Sequence, residues 1–294
     1  MSYDKYIVAF IDILGFKNLV KQSENNKRDF IKVHKVLSNF AILKNKETWE
    51  KARILMDIEE DTQKKGLDDF YIDNMVCCTC FSDSIIIAIN AQDKISQRCS
   101  ALIAMLAKIS TELLREGILI RGAITYGNLF VDDTLNIYCG TALNKAYNLE
   151  STVAKYPRIL LSSELIEQLN YPLTAKWERM PYHQYIERFS DGTAGFSPLV
   201  YLQVMQGAPD IIPDEKLKNI LVDIKRTIIK GLDDNIENPN IYEKYAWLVE
   251  CYNNLIILEM DADKIYFPKG SDSWHNIHFS IMDDIKSKVV YKKY

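Results

Sequence analysis

Apolar and polar positions change period several times along the chain, and each change marks an element. Residues 5–12, KYIVAFID, form an apolar run rich in β-branched and aromatic side chains, which predicts a buried strand. From Phe16 the spacing turns helical, with Phe30, Val33, Val36, Leu37 and Phe40 at three- and four-residue steps on one face. Residues 45–70 are rich in charge and predict a helical excursion or insertion. NMVCCTC and IIIAIN then flank the polar FSDS, the pattern of a β-hairpin. Leu102, Met105, Leu106, Ile109 and Leu113 stripe a long helix that Gly117 closes. ILIRGAITYG predicts the next strand, with Gly127 and Asn128 turning the chain into LFV.

Strand, helix, hairpin, helix, strand is the ferredoxin-like order of palm domains. It predicts an α+β fold, an antiparallel sheet with helices packed on one face. Residues 140–151 then read as helix, PRILLSS as a strand and SSELIEQL as a further helix start. Beyond about residue 205 the pattern is helical. Leu217, Ile220, Leu221, Ile224 and Ile228 make one stripe, and Tyr245, Leu248, Val249 and Tyr252 another, approached through APDIIPDE. The expected division is a core over residues 1–205 and a helical C-terminal extension over 206–294.

Composition narrows the function classes. With 294 residues, 48% hydrophobic and 26% charged, the chain can bury a sizeable core. A net charge of -4 argues against nucleic-acid binding, which needs a basic face. Lys286, Lys288, Lys292 and Lys293 read as a solvated tail. No apolar run has the length of a membrane span and no cleavable leader is evident, so a cytoplasmic protein is expected. Cys77, Cys78 and Cys80 crowd one strand and suit small hydrophobes better than disulfides. His275 and His278 form a lone pair, a weak metal signal.

Two carboxylates carry the chemistry. Asp12 ends the first strand and Asp83 sits in the hairpin turn. A ferredoxin-like sheet lays the first strand beside the second strand of the hairpin, which brings the two together. Carboxylates that close repel unless a cation lies between them. Hard Mg²⁺ or Mn²⁺, two ions per site, would take these oxygens and share triphosphate oxygens. Gly15 would let backbone amides at the following helix start approach phosphate. Taken singly, Asp12 could be a helix cap and Asp83 a turn residue.

Over roughly residues 5–170 the chain resembles the class III nucleotidyl cyclases. FIDILGF resembles their first metal motif and FSDSIIIAI their second, with Ser82 where glycine is usual. IRGAITYGNLF is similar to their Arg-x-Gly-Ile-x-x-Gly strand pair. CGTALNKAYNLES is similar to their Asn-bearing helix and PRILLSSEL to the strand and helix after it. The resemblance implies attack of a ribose 3′-hydroxyl on the α-phosphorus, with Asp12, Asp83 and the Ile13 carbonyl as metal ligands. Ile13, Gly15, Phe16 and Lys17 would lie along the nucleotide, Arg121 would contact the triphosphate and Asn144 would orient the ribose. A symmetric homodimer would build two equivalent sites.

Three positions depart from the family. Thr79 and Ile137 stand where adenylyl cyclases carry a base-reading lysine and aspartate, and Asn148 stands where an arginine supports the transition state. Lys17 and Arg188 are candidates to replace that charge. With these departures the chain resembles the pyrimidine cyclases of bacterial Pycsar antiphage systems. That implies conversion of UTP or CTP to cUMP or cCMP, with the product acting on a separate effector protein. The rival readings are an adenylyl or guanylyl cyclase of the same class and a catalytically inactive nucleotide-binding sensor. A palm polymerase or dinucleotide synthase is disfavoured by charge and by the missing Gly-Gly-Asp-Glu-Phe signature.

Overall fold

The structure is a computed structural model that describes residues 2–45, 76–91, 95–169, 185–206 and 213–261. The charge-rich segment up to residue 70 lies outside them from residue 46 on, as do His275, His278 and the lysines from Lys286 to Lys293. The chain forms two compact units, one of Met1–Ile109 with Leu119–Phe196, the other of Ser110–Ile118 with Ser197 onward.

In the first unit β1 (Asp4–Leu14) runs antiparallel between β3 (Ser84–Asn90) and β4 (Leu119–Asp132), and β2 (Val76–Phe81) pairs with β3. Helices α1 (Phe16–Ser23) and α2 (Lys27–Ala41) follow β1, and α3 (Ile95–Arg115) joins β3 to β4. The strand order β2-β3-β1-β4 with those connections is the ferredoxin-like arrangement. β6 (Ile159–Leu161) adds parallel to β4, and β8 (Ala194–Phe196) and β7 (Glu187–Arg188) extend the sheet beyond it, making it mixed. β5 (Ile137–Cys139) folds back antiparallel on the far end of β4.

Strand alternation sorts the core into two faces. Ile7, Ala9, Ile11 and Ile13 point to one side and are almost wholly buried. Cys78 shares that face through the register Cys78–Ile87–Ala9, and its thiol donates to the Phe40 carbonyl at 3.5 Å, which ties α2 to the sheet. Val8 and Phe10 point the other way and pack with Ala88, Leu129, Ala142 and Ala146. The last two belong to α4 (Thr141–Thr152), whose small residues let it sit close on this face. α5 (Ser163–Gln168) follows β6, and the Ser162 hydroxyl caps it by accepting from the Leu165 amide at 3.3 Å.

Two local expectations are corrected. The helical run after Phe16 is two helices, because the Asn26 side chain accepts from the Arg28 amide at 2.9 Å and starts α2 afresh. Only Val36 and Phe40 of the α2 stripe are buried, and Phe30 is 59% exposed. Gly127 and Asn128 make no turn. β1 begins as early as Asp4 and pairs on through Tyr6–Gly127 to Asp4–Leu129, so β4 continues and buries Leu129.

The second unit is helical after the closing turns of α3. The Ile118 amide caps α3 by donating to the Leu113 carbonyl at 2.9 Å. α6 (Val200–Gln206), α7 (Asp214–Asp234) and α8 (Pro239–Asp261) follow. The stripes read from the sequence are the buried ones, Leu217 to Ile228 on α7 and Tyr245 to Tyr252 on α8. Among the described residues no helix is long and apolar enough to cross a membrane.

Candidate active site

The α4-side face of β1 changes character after Phe10, because the next residue on it is Asp12. Across the sheet Asp12 is opposite Ser84 on β3 and Arg121 on β4. Opposite charges in directly facing positions attract, and the Arg121 Nε–H donates to Asp12 Oδ2 at 3.1 Å. The neighbouring Gly122 is obligatory. A Cβ there would lie 2.5 Å from Ile11 Cδ1 and 2.6 Å from the Phe10 carbonyl oxygen, forcing β4 away from β1 beside Arg121.

The hairpin meets the end of β1 at Ile13, whose amide donates to the Asp83 carbonyl at 3.0 Å. In such a pair the carbonyl of Ile13 points to the same side as its amide, towards the turn. Ser82 holds the turn in the left-handed region at φ 57°, a conformation glycine adopts freely and serine at about 1 kcal/mol. Gly15 is also left-handed, at φ 74°, and caps α1 with its carbonyl accepting from the Asn18 and Leu19 amides. A Cβ on Gly15 would meet nothing within 4 Å, so within this chain the backbone angle is what requires glycine.

A third carboxylate joins from α4. The Thr125 hydroxyl donates to the Ala142 carbonyl at 2.8 Å and fixes the start of that helix against β4. Ala142, Ala146 and Glu150, spaced by four, form its buried stripe. Glu150 is 3% exposed, and its Oε1 lies 2.7 Å from Arg121 Nε. That nitrogen carries one hydrogen, which it gives to Asp12. Glu150 therefore meets the guanidinium through charge alone, and its buried Oε1 has no hydrogen-bond partner. Arg121 Nη1 donates to the Ala154 carbonyl at 3.4 Å.

The electrostatics follow from one cation shared among three acids. Burial pushes the Glu150 carboxyl up to about 7; Arg121 opposes the shift, and the charges of Asp12 and Asp83 add to it. Burial likewise raises Asp12, against the pull of Arg121 and with the help of Asp83. Asp83 is thus within electrostatic reach of both. The cluster is short of positive charge, holds an orphaned buried oxygen, and offers carboxylate and carbonyl oxygens. That donor set fits a hard divalent cation. Among the described residues no three His, Cys, Asp or Glu close a metal cage, so Asp12, Asp83 and the Ile13 carbonyl would leave other positions to phosphate or water.

The remaining candidates are spread over the sheet and its helices, and Arg188 and Ile137 are not brought to this cluster by the strand pairing. Phe16 is buried at the start of α1, while Lys17 is exposed. Asn144 and Asn148 sit one turn apart on the exposed side of α4, and the Asn148 carbonyl accepts the Thr152 hydroxyl at 2.6 Å. Between them Tyr147 stands edge-on to Phe10, centroids 5.4 Å apart. Thr79 is half-buried on β2 opposite Ile86, and Ile137 is 44% exposed on β5. Arg188, at the outer edge of the sheet on β7, donates to the Gly192 carbonyl. Sequence reasoning singled out Asp12, Asp83 and Arg121 but missed Glu150, whose signal was a charge in register with Ala142 and Ala146.

No family model and no curated protein matches the sequence. Among solved structures the chain is similar to the monomeric guanylyl cyclase domain of a RhoGC fusion protein from the aquatic fungus Blastocladiella emersonii. The identity is 16%, the match covers 67% of this chain and 96% of that one, and the TM-score is 0.38. A rhodopsin-guanylyl cyclase catalytic core with converted specificity, in complex with ATPαS, is 15% identical over 67% and 98%, with a TM-score of 0.38. The guanylate cyclase domain of RhGC from Catenaria anguillulae, in complex with GTP, is 16% identical over 66% and 95%, with a TM-score of 0.36. The strand order of this chain carries the fold assignment independently of them.

Proposed function

We infer that the chain is a nucleotidyl cyclase of the class III type, acting on a pyrimidine nucleoside triphosphate, UTP or CTP. The observation that carries this reading is the meeting of Asp12, Asp83 and Arg121 at one end of a ferredoxin-like sheet. Those are the residues that the cyclase-like motifs single out. In the reaction the ribose 3′-oxygen bonds to the α-phosphorus, the bridge to the β-phosphate breaks, and the hydroxyl proton leaves to water. The products are a 3′,5′-cyclic monophosphate and pyrophosphate.

Asp12, Asp83 and the Ile13 carbonyl would hold Mg²⁺ or Mn²⁺. Such ions, when bound, lower the pKa of the attacking hydroxyl and neutralise the leaving pyrophosphate. Arg121 serves the triphosphate and Asn144 the ribose, while the start of α1 at Gly15, Phe16 and Lys17 offers amides to phosphate. Thr79 and Ile137 line the base position without the charges that read purines, which supports a pyrimidine. Asn148 brings a hydrogen-bonding group but no positive charge to the transition state. A homodimer, residues 1–205 as catalytic core with 206–294 as extension, a cytoplasmic setting and an antiphage role with a separate effector complete the reading.

The test is incubation of purified protein with Mn²⁺ and each of four ribonucleoside triphosphates, with products identified by mass spectrometry. Cyclic UMP or cyclic CMP is expected. A cyclic purine product would keep the chemistry and overturn the base assignment. No product from any of the four would turn the reading towards a nucleotide-binding sensor, which the Asn148 position favours.

A further inference from the structure

We propose that Glu150 is a positioning residue that keeps the Arg121 guanidinium in place when a divalent cation takes over Asp12. This rests on the cation reading of Asp12 and Asp83 above. The single Nε–H of Arg121 can serve one acceptor at a time, and here it serves Asp12 Oδ2 at 3.1 Å. A cation at Asp12 competes for the carboxylate that now accepts it. Glu150 Oε1 waits 2.7 Å from the same nitrogen, off the axis of its hydrogen, buried and without a hydrogen-bond partner. A small rotation of the guanidinium converts that charge contact into a charge-assisted hydrogen bond.

Two fixed points make the handover local. Nη1 remains on the Ala154 carbonyl at 3.4 Å, just past the C-terminal end of α4. Glu150 is held by the stripe that seats α4 on the sheet. The handover frees Asp12 for the cation and leaves Arg121 at the end of β1, facing the phosphate position. Without the Glu150 charge, Arg121 has one anionic partner and competes with the cation for it.

The experiment is a titration of the full chain with Mn²⁺ alone, free ion being read by electron paramagnetic resonance. E150Q is expected to weaken Mn²⁺ binding about tenfold, the scale of one charged hydrogen bond. In an R121Q background the same substitution is expected to change little, because the competitor is gone. Equal weakening in both backgrounds would show that Glu150 acts only as a distant charge and would overturn the proposal while leaving the cation reading intact. A wild-type chain that binds no Mn²⁺ would overturn both.

R121Q leaves Glu150 buried without a cation and can fail to fold, so a second readout avoids it. The Arg121 Nε–H resonance, assigned by its loss in R121K, is followed by nitrogen-15 NMR as Mg²⁺ is added. Slow solvent exchange is expected to persist in the wild type and to be lost in E150Q. Identical behaviour of the two proteins would overturn the proposal.

Discussion

Arg121 and Arg158 are neighbours in the sheet of the first unit and serve different carboxylates. Arg158 immediately precedes β6, and its carbonyl accepts the Gly122 amide at 3.1 Å, one residue from Arg121. Its guanidinium is buried beneath two rings, 4.5 Å from the Phe189 centroid and 5.5 Å from that of Tyr156, and donates to one carboxylate, Asp191. Burial alone would raise Asp191. The hydrogen bonds from Arg158, the Thr193 hydroxyl and the Thr193 amide outweigh it and hold the group at about 2. At Arg121 the direction reverses. One guanidinium faces Asp12 and Glu150 with Asp83 in reach, and both Asp12 and Glu150 are pushed up. A balanced pair fastens a loop. An unbalanced cluster is left short of positive charge, and the pKa directions separate the two arrangements where burial alone does not.

The largest effect separating the two regions is expected at the carboxylates. D12A or D83A should lower metal-dependent turnover by at least about a hundredfold, the scale for removing a group that supports transition-state charge. Circular dichroism and thermal unfolding should stay near wild type, since D12A leaves Arg121 paired with Glu150. Full turnover in either variant would sink the cation assignment. R158A should do the reverse. It strips the cover from Phe189 and the partner from Asp191, at about 2 kcal/mol of stability in urea unfolding. Its Mn²⁺ affinity should not change. If a folded R158A lost Mn²⁺ binding, the two arginines would not be separable in function.

The same contrast explains what could be read from the chain. Asp12 and Asp83 stand at the ends of strongly patterned strands, so the predicted order of elements already converged them, whereas Arg121 was marked only by its cyclase-like motif. Glu150 was hidden because Ala142 and Ala146 carry little hydropathy, and a glutamate after them reads as a solvent-facing helix position. β5, β7 and β8 span two or three residues each, too short for a period of two to register. The Gly127–Asn128 turn failed for a tertiary reason, because the long partner strand β1 extends the pairing past local turn chemistry. Phe30 reads as core by spacing, yet the Asn26 cap restarts the helix and leaves it in solvent.

The smallest effects, and the most direct reading of the contrast, lie in the pH dependence of stability without divalent ions. Asp191 is depressed in the folded chain, so its contribution is complete above the ordinary aspartate range and is lost as pH falls from about 4 towards about 2. Glu150 is raised, so the folded chain holds its proton more tightly than the unfolded one. Its contribution is complete below about 4.5 and is lost as pH rises through about 7. D191N should therefore flatten the acid limb of a plot of Tm against pH, and E150Q the limb between about 4.5 and 7. Saturating Mg²⁺ should restore stability on the Glu150 limb, because a cation that binds only the folded cluster adds about 2.7 kcal/mol at a hundred times its Kd. It should leave the Asp191 limb untouched. A Mg²⁺ effect on the acid limb of equal size would mean that the ion binds generally to carboxylates, and the distinction between the two arginines would fall.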